Sequence, residues 1–284
     1  MPFKQYWAPS LLVVGILLAS LVQTNFGRVT VKDTRFIGSN GSLMSGLLYI
    51  PHGTTVNRPA PAILAIHGYI NSRETQSAFA IELARRGYVV LALDQTGHGY
   101  SDAPAFSNGF GGPDGLKYLR SLPFVDQTRI GMEGHSMGGW AIQAAAATTP
   151  DAYQSMVLTG SSTGTLGVPE GTAEYPRNLL LVFSLFDEFS ELMWGAAVPA
   201  DIVETAKLKT LFDTDETVIS GQLYGDVKSG NARMLRMPAV THPGDHLSVD
   251  TVAATVAWFS KTLQSPTLLQ DRDQIWFWKE LATL

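Results

Sequence analysis

The chain contains no cysteine. That single absence excludes a disulfide-stapled fold, a thiol nucleophile, and zinc or iron–sulfur sites built on thiolates. Basic residues are also scarce: 20 Lys and Arg stand against 25 Asp and Glu, a net charge of −5, so the electrostatic footprint of a nucleic-acid binder is missing. Charged residues make up only 16% of the chain and hydrophobic residues 45%, a balance that favours burial over disorder. What remains is 284 residues, enough for one large domain or two small ones with a sizeable core.

The apolar residues are unevenly placed. Between Lys4 and Arg28 there are 23 consecutive uncharged residues, and Leu11–Val22 is nearly continuous Leu, Val, Ile and Ala. A bilayer core needs about 20 apolar residues, and Tyr6, Trp7 and Phe26 stand near the two ends, where aromatic rings favour an interface. Residues 1–27 are therefore expected to be a membrane anchor. A cleaved signal segment is the alternative, although Ala19-Ser20-Leu21 offers no small-x-small cleavage site. A buried core helix would show an apolar stripe rather than apolar residues all round. Arg28, Lys32 and Arg35 after the segment favour a cytoplasmic domain, whereas the short N-terminal tail and absent cysteine fit export. The expectation adopted is a membrane-anchored, extracytoplasmic domain.

Beyond residue 27 the pattern changes. Arg28–Ile37 and Leu43–Ile50 are β-rich runs separated by Ser39-Asn40-Gly41-Ser42, a hairpin signal. Short apolar strands then alternate with helices. Ala62–Ile66 precedes a helix with a capping box at Asn71 and Glu74. Tyr88–Leu93, Arg129–Glu133, Ser155–Thr159, Asn178–Phe183 and Met234–Val240 are further strands. Helices are expected near Asp114–Ser121, after Arg129–Glu133 through Ala147, and over Ser248–Leu263. In the last, Val249, Val252, Val256, Phe259 and Leu263 step by three and four. Short unpatterned strands alternating with helices predict an α/β fold: a mostly parallel sheet covered on both faces, with an antiparallel N-terminal hairpin at its edge. The expected domain spans 28–264. Residues 265–284 form an aromatic tail in which Trp276, Phe277 and Trp278 beside Lys279 read either as an interfacial belt or as packing onto the domain.

The chemistry concentrates at Gly134-His135-Ser136-Met137-Gly138, directly after one of these strands and directly before a helix. This is G-x-S-x-G in the context that gives it meaning: a sharp strand-to-helix turn that exposes a serine hydroxyl and requires tiny residues two before and two after it. On this elbow, on His67-Gly68-Tyr69, and on Gly97-His98-Gly99 with the flanking Asp94 and Ser101, the chain resembles the α/β-hydrolase-fold serine hydrolases from about Arg28 to Leu263. The resemblance implies a Ser136 nucleophile and oxyanion donors at the backbone N–H groups of Tyr69 and Met137. It gives His67 and His98 structural roles. It also implies an acid and then a base later in the chain.

Asp187 closes the run from Asn178 and is the expected acid, with Glu188 as the fallback. Two histidines compete for the base. His246 lies immediately before the closing helix and is the expected one; His242 comes sooner after the last strand and is followed by Pro243. A zinc pair of the two is excluded, because Pro243 and Gly244 keep them off a common helix face. The triad Ser136, Asp187 and His246 then implies ester hydrolysis through an acyl-enzyme, with no cofactor and no metal. A serine peptidase or acyltransferase of the same fold is an alternative, and a non-catalytic binding module a more distant one. The expected partners are a small-molecule or lipid-derived ester and a membrane, and no nucleic acid. The stretch Gly160–Arg177 leaves little room for a lid, whereas Phe189, Leu192, Met193 and Trp194 either shape an acyl pocket or pack the core.

Overall fold

The computed structural model describes residues 7–102 and 104–283. Helix α1 (Trp7–Gln23) leads into the hairpin of β1 (Val29–Ile37) and β2 (Leu43–Pro51). There follow β3 (Ala60–Ile66), α2 (Ser77–Arg85), β4 (Val89–Leu93), α3 (Gly112–Ser121), β5 (Val125–His135), α4 (Met137–Thr148), β6 (Ser155–Thr159) and β7 (Leu179–Val182). An insertion carries α5 (Ser190–Trp194), α6 (Ala206–Phe212) and β8 (Leu223–Tyr224), and the chain closes with β9 (Arg233–Arg236), α7 (Val249–Leu263) and α8 (Trp276–Ala282).

The nine strands make one sheet in the order β1-β2-β4-β3-β5-β6-β7-β9-β8. From β4 to β9 neighbours run parallel; β1, β2 and β8 are the antiparallel additions. The expected hairpin is present, paired from Val29↔Pro51 to Ile37↔Leu43, with Gly41 at φ 84° turning the loop. β3, β4, β6 and β7 are buried along their whole length, as strands covered on both faces must be. One face is sealed by α3, α4 and the insertion, through residues such as Leu116, Trp140, Ile142 and Leu208; the other by α2 and α7, through Phe79, Leu83, Val256 and Phe259.

Two local expectations give way, and the closing helix forms where it was expected. The capping box at Asn71 and Glu74 does not form: the turn begins at Ser72 as a 3₁₀ segment, Arg73–Gln76, and the Ser72 hydroxyl donates to the Glu74 carboxylate (2.6 Å) instead of capping the backbone. The last parallel strand stops at Arg236 rather than running to Val240, and Pro238, which has no N–H to give a ladder, follows two residues later. Helix α7 starts at Val249, with Ser248 as its N-cap accepting from the Thr251 N–H (3.1 Å).

The membrane anchor is overturned. Among the described residues helix α1 spans the 17 residues Trp7–Gln23. It ends where Asn25, Phe26 and Gly27 all take positive φ. Among the described residues no helix is long and apolar enough to cross a membrane, so the membrane association and the extracytoplasmic placement that rested on this segment are withdrawn. Lys4 and Tyr6, which entered that expectation, lie outside the described residues. Helix α1 instead packs on α8, so closely that a Cβ on Gly15 would stand 2.5 Å from the Ala282 carbonyl oxygen.

The aromatic tail is tied to the body. The buried Glu82 carboxylate accepts the backbone N–H groups of Ile275 (2.7 Å) and Trp276 (3.1 Å), and also binds Arg85 (2.6 Å) and Arg86 (2.8 Å). Trp276 is buried.

Candidate active site

The strand ends β3, β5, β7 and β9 open on the same edge of the sheet, the usual place for a site in an open parallel sheet. At the end of β5 the chain turns into α4 through Ser136, whose φ of 53° and ψ of −121° are sparsely populated for a residue with a side chain. The turn tolerates nothing larger than hydrogen on its flanks. A Cβ on Gly134 would lie 2.3 Å from the Gly138 carbonyl oxygen, and one on Gly138 would lie 2.0 Å from that of Ile66. The two glycines therefore let β5, α4 and β3 close around the serine. Gly68 brings the loop after β3 equally near, since a Cβ there would stand 3.1 Å from Ser136 Cβ.

Met137 begins α4, with the helix dipole directed at the turn, and Tyr69 follows Gly68 in the facing loop. Among the described residues neither the Met137 N–H nor the Tyr69 N–H donates to another group of the protein. Both line a cavity of about 760 Å³ together with Ser136.

Asp187 is buried beyond the end of β7. One carboxylate oxygen accepts from the Phe189 N–H (2.8 Å) and the other from His242 Nδ1 (2.8 Å). Because a carboxylate accepts, Nδ1 carries the proton and Nε2 is left with its lone pair. The neighbouring Glu188 carboxylate accepts the backbone N–H of His242 (3.0 Å), and the Phe189 ring stands edge-on to the imidazole (4.7 Å). His242 and Ser136 line the same cavity.

The expected partner, His246, is elsewhere. It is buried between Phe79 and His135, 3.9 Å from the latter's ring centroid, and neither of its ring nitrogens has a hydrogen-bond partner. Burial pushes its pKa down to about 4, so it is neutral at physiological pH. The pairing of Asp187 with His246 is thus corrected to Asp187 with His242. The physical reason is register: Phe186 bridges Thr241 in parallel, which sets the next residues of the two segments, 187 and 242, side by side. The short distance of His242 from the last strand was the available signal, whereas the position of His246 immediately before the closing helix pointed the other way.

The remaining polar groups support the loops. His135 donates Nε2–H to the His242 carbonyl (3.0 Å), and burial holds its pKa well below the ordinary value. His67 donates Nδ1–H to the Gly68 carbonyl (2.7 Å) and accepts from the Gln95 N–H (3.1 Å), fixing one neutral tautomer. Asp94 accepts the N–H groups of Arg73 (2.8 Å) and Tyr100 (3.1 Å) and holds the loop after β4. In the insertion, Phe189, Leu192 and Met193 line the cavity, whereas Trp194 is core and donates to the Ser161 carbonyl (3.2 Å). Among the described residues no cluster of His, Asp and Glu has the arrangement to hold a metal ion.

Comparison with known proteins agrees with this architecture. The sequence profile of a family described as "alpha/beta hydrolase fold" matches residues 61–198. Among curated proteins no sequence matches the chain. Of solved structures, the esterase Pf2001 of Pyrococcus furiosus superposes with a TM-score of 0.60 at 16% identity, over 84% of this chain and 94% of that one. Est1E of Butyrivibrio proteoclasticus, solved with ferulic acid bound, gives 0.57 at 20% identity over 82% and 100%. A predicted CIB-like hydrolase from Thermoplasma acidophilum gives 0.57 at 17% identity over 82% and 99%. Profile, sheet order and superpositions converge on one architecture, and the chain has the α/β-hydrolase fold.

Proposed function

We propose that the chain is a serine hydrolase that cleaves carboxylic esters through an acyl-enzyme on Ser136, with His242 as general base and Asp187 as its orienting acid. The observation that carries this reading is the 2.8 Å bond from His242 Nδ1 to Asp187, which leaves Nε2 free in the cavity that Ser136 lines. His242 Nε2 takes the Ser136 proton as Oγ attacks the ester carbonyl. Asp187 keeps the imidazole in that tautomer and stabilises the imidazolium as it forms. The backbone N–H groups of Met137 and Tyr69 face the developing oxyanion, where one donor is worth about 3 kcal/mol. The imidazolium protonates the leaving alcohol, and water activated by the same base releases the acid. Esters are favoured by the esterases among the structural neighbours and by a cavity walled mainly with apolar side chains.

Covalent labelling tests the reading. A fluorophosphonate probe is expected to label the native chain, and Ser136→Ala to abolish the label. Undiminished labelling of the variant overturns the nucleophile.

A further inference from the structure

The cavity wall has an asymmetry of charge that the proposed chemistry does not need. Tyr69, Phe106, Trp140, Leu166, Phe189 and Leu192 give it a broad apolar surface, and at about 760 Å³ it lies within the usual range for enclosing most of a drug-sized ligand. Several of these side chains remain well exposed at its rim, among them Phe106 (54%), Leu166 (67%) and Leu192 (60%). Among the described lining residues Glu188 is the only carboxylate side chain, and no Lys or Arg is present. The nearby cation Lys207 is turned away, donating to the Met193 carbonyl (2.7 Å) and lying over the Trp194 ring (5.2 Å). His135 is held neutral by burial. Glu188 itself is held in place: its carboxylate, on the loop that carries Asp187, accepts the backbone N–H of His242, so the negative charge sits against the base's loop.

We infer that this site selects uncharged apolar esters and that Glu188 is a specificity-determining residue, turning away substrates that carry a carboxylate. The inference rests on the ester-hydrolase reading above. A carboxylate entering the cavity meets a like charge with no cation to compensate it. It also gives up hydration to walls that are mainly apolar. A neutral chain of the same length loses nothing comparable and gains burial. Because Glu188 is solvent-exposed, its share of the repulsion is modest, about fivefold in rate for charges several ångströms apart in a water-like dielectric. That share weakens as salt is raised.

The test compares kcat/KM within two pairs of esters on the full chain: p-nitrophenyl hexanoate against p-nitrophenyl hemiglutarate, and phenyl butyrate against 4-carboxyphenyl butyrate. Wild type is expected to prefer the neutral member of each pair by tenfold or more. Glu188→Gln retains an oxygen that accepts the His242 N–H. It is expected to narrow the larger gap at least threefold, and the ratio cancels any general change in activity. Equal rates within either pair on wild type overturn the inference, as do ratios unchanged by Glu188→Gln. Failure of the underlying reading looks different: no ester is turned over and no phosphonate label appears on Ser136.

Discussion

Asp187→Asn isolates the step on which the proposed mechanism turns. The carboxylate makes two contacts of 2.8 Å, from the Phe189 N–H and from His242 Nδ1. An amide in the same place has one acceptor and one donor group. If its oxygen keeps the Phe189 N–H, its NH₂ faces Nδ1, which must then accept. The imidazole proton moves to Nε2, and the lone pair that would take the Ser136 proton is lost. The imidazolium of the transition state also loses its counter-charge. Together these effects are expected to cost about 10³ to 10⁴ in kcat, or about 4 to 5 kcal/mol of transition-state stabilisation, with little change in KM. The assay is p-nitrophenyl butyrate hydrolysis together with the rate of phosphonate labelling, on protein whose thermal unfolding shows that it is folded. A variant that folds and keeps activity within tenfold of wild type refutes the role of Asp187.

Two further tests use the neighbouring histidines and carboxylates. His242→Ala is expected to lower kcat by at least 10³, whereas His246→Gln, which changes a side chain without a hydrogen-bond partner, is expected to stay within tenfold; the reverse ranking in steady-state kinetics would return the base to His246. Burial raises the Asp245 carboxyl to about 7 while the unfolded chain ionises near 3.8, so its contribution to stability falls as pH rises through that window. The buried His246, lowered to about 4, works in the opposite direction: its contribution is complete above 6.5 and is lost as pH falls toward 4. Asp245→Asn keeps an oxygen for the Ser184 hydroxyl and removes the titration. Relative to wild type it is expected to gain about 2 to 3 kcal/mol between pH 5 and pH 8 in urea unfolding, and parallel stability curves would exclude the proposed titration.

Much of the fold is legible because its signals are local. The apolar runs at Val89–Leu93 and Ser155–Thr159 are strands whichever neighbours they find, since both faces of a central strand must be covered. The elbow is equally local: Gly134, Ser136 and Gly138 specify a turn that few other residues can make, and the structure shows that added Cβ atoms there would strike backbone. Signals of composition alone fare worse. Leu11–Val22 has the hydropathy of a span, but whether a run crosses a bilayer depends on the length of its helix. That helix ends at Gln23 because Asn25, Phe26 and Gly27 leave the helical region. Likewise β8, two residues long, pairs with β9 through contacts that no periodicity announces.

The sequence by itself determined the alternation of strand and helix, the glycine-flanked serine and the acid that follows β7. Each of these is written in a few consecutive residues, where sterics and burial act over short range. Only the tertiary structure decided which histidine meets that acid. His242 and His246 are four residues apart in one loop, and local sequence does not separate them. The choice is made by the parallel bridge from Phe186 to Thr241, which joins segments 55 residues apart and sets Asp187 beside His242. Lys207 likewise meets the Met193 carbonyl, 14 residues away, rather than the cavity, where Glu188 is the only carboxylate among the described lining residues. Side chains distant in sequence meet only when the whole sheet is assembled, because register, rather than residue type, sets which of them face one another.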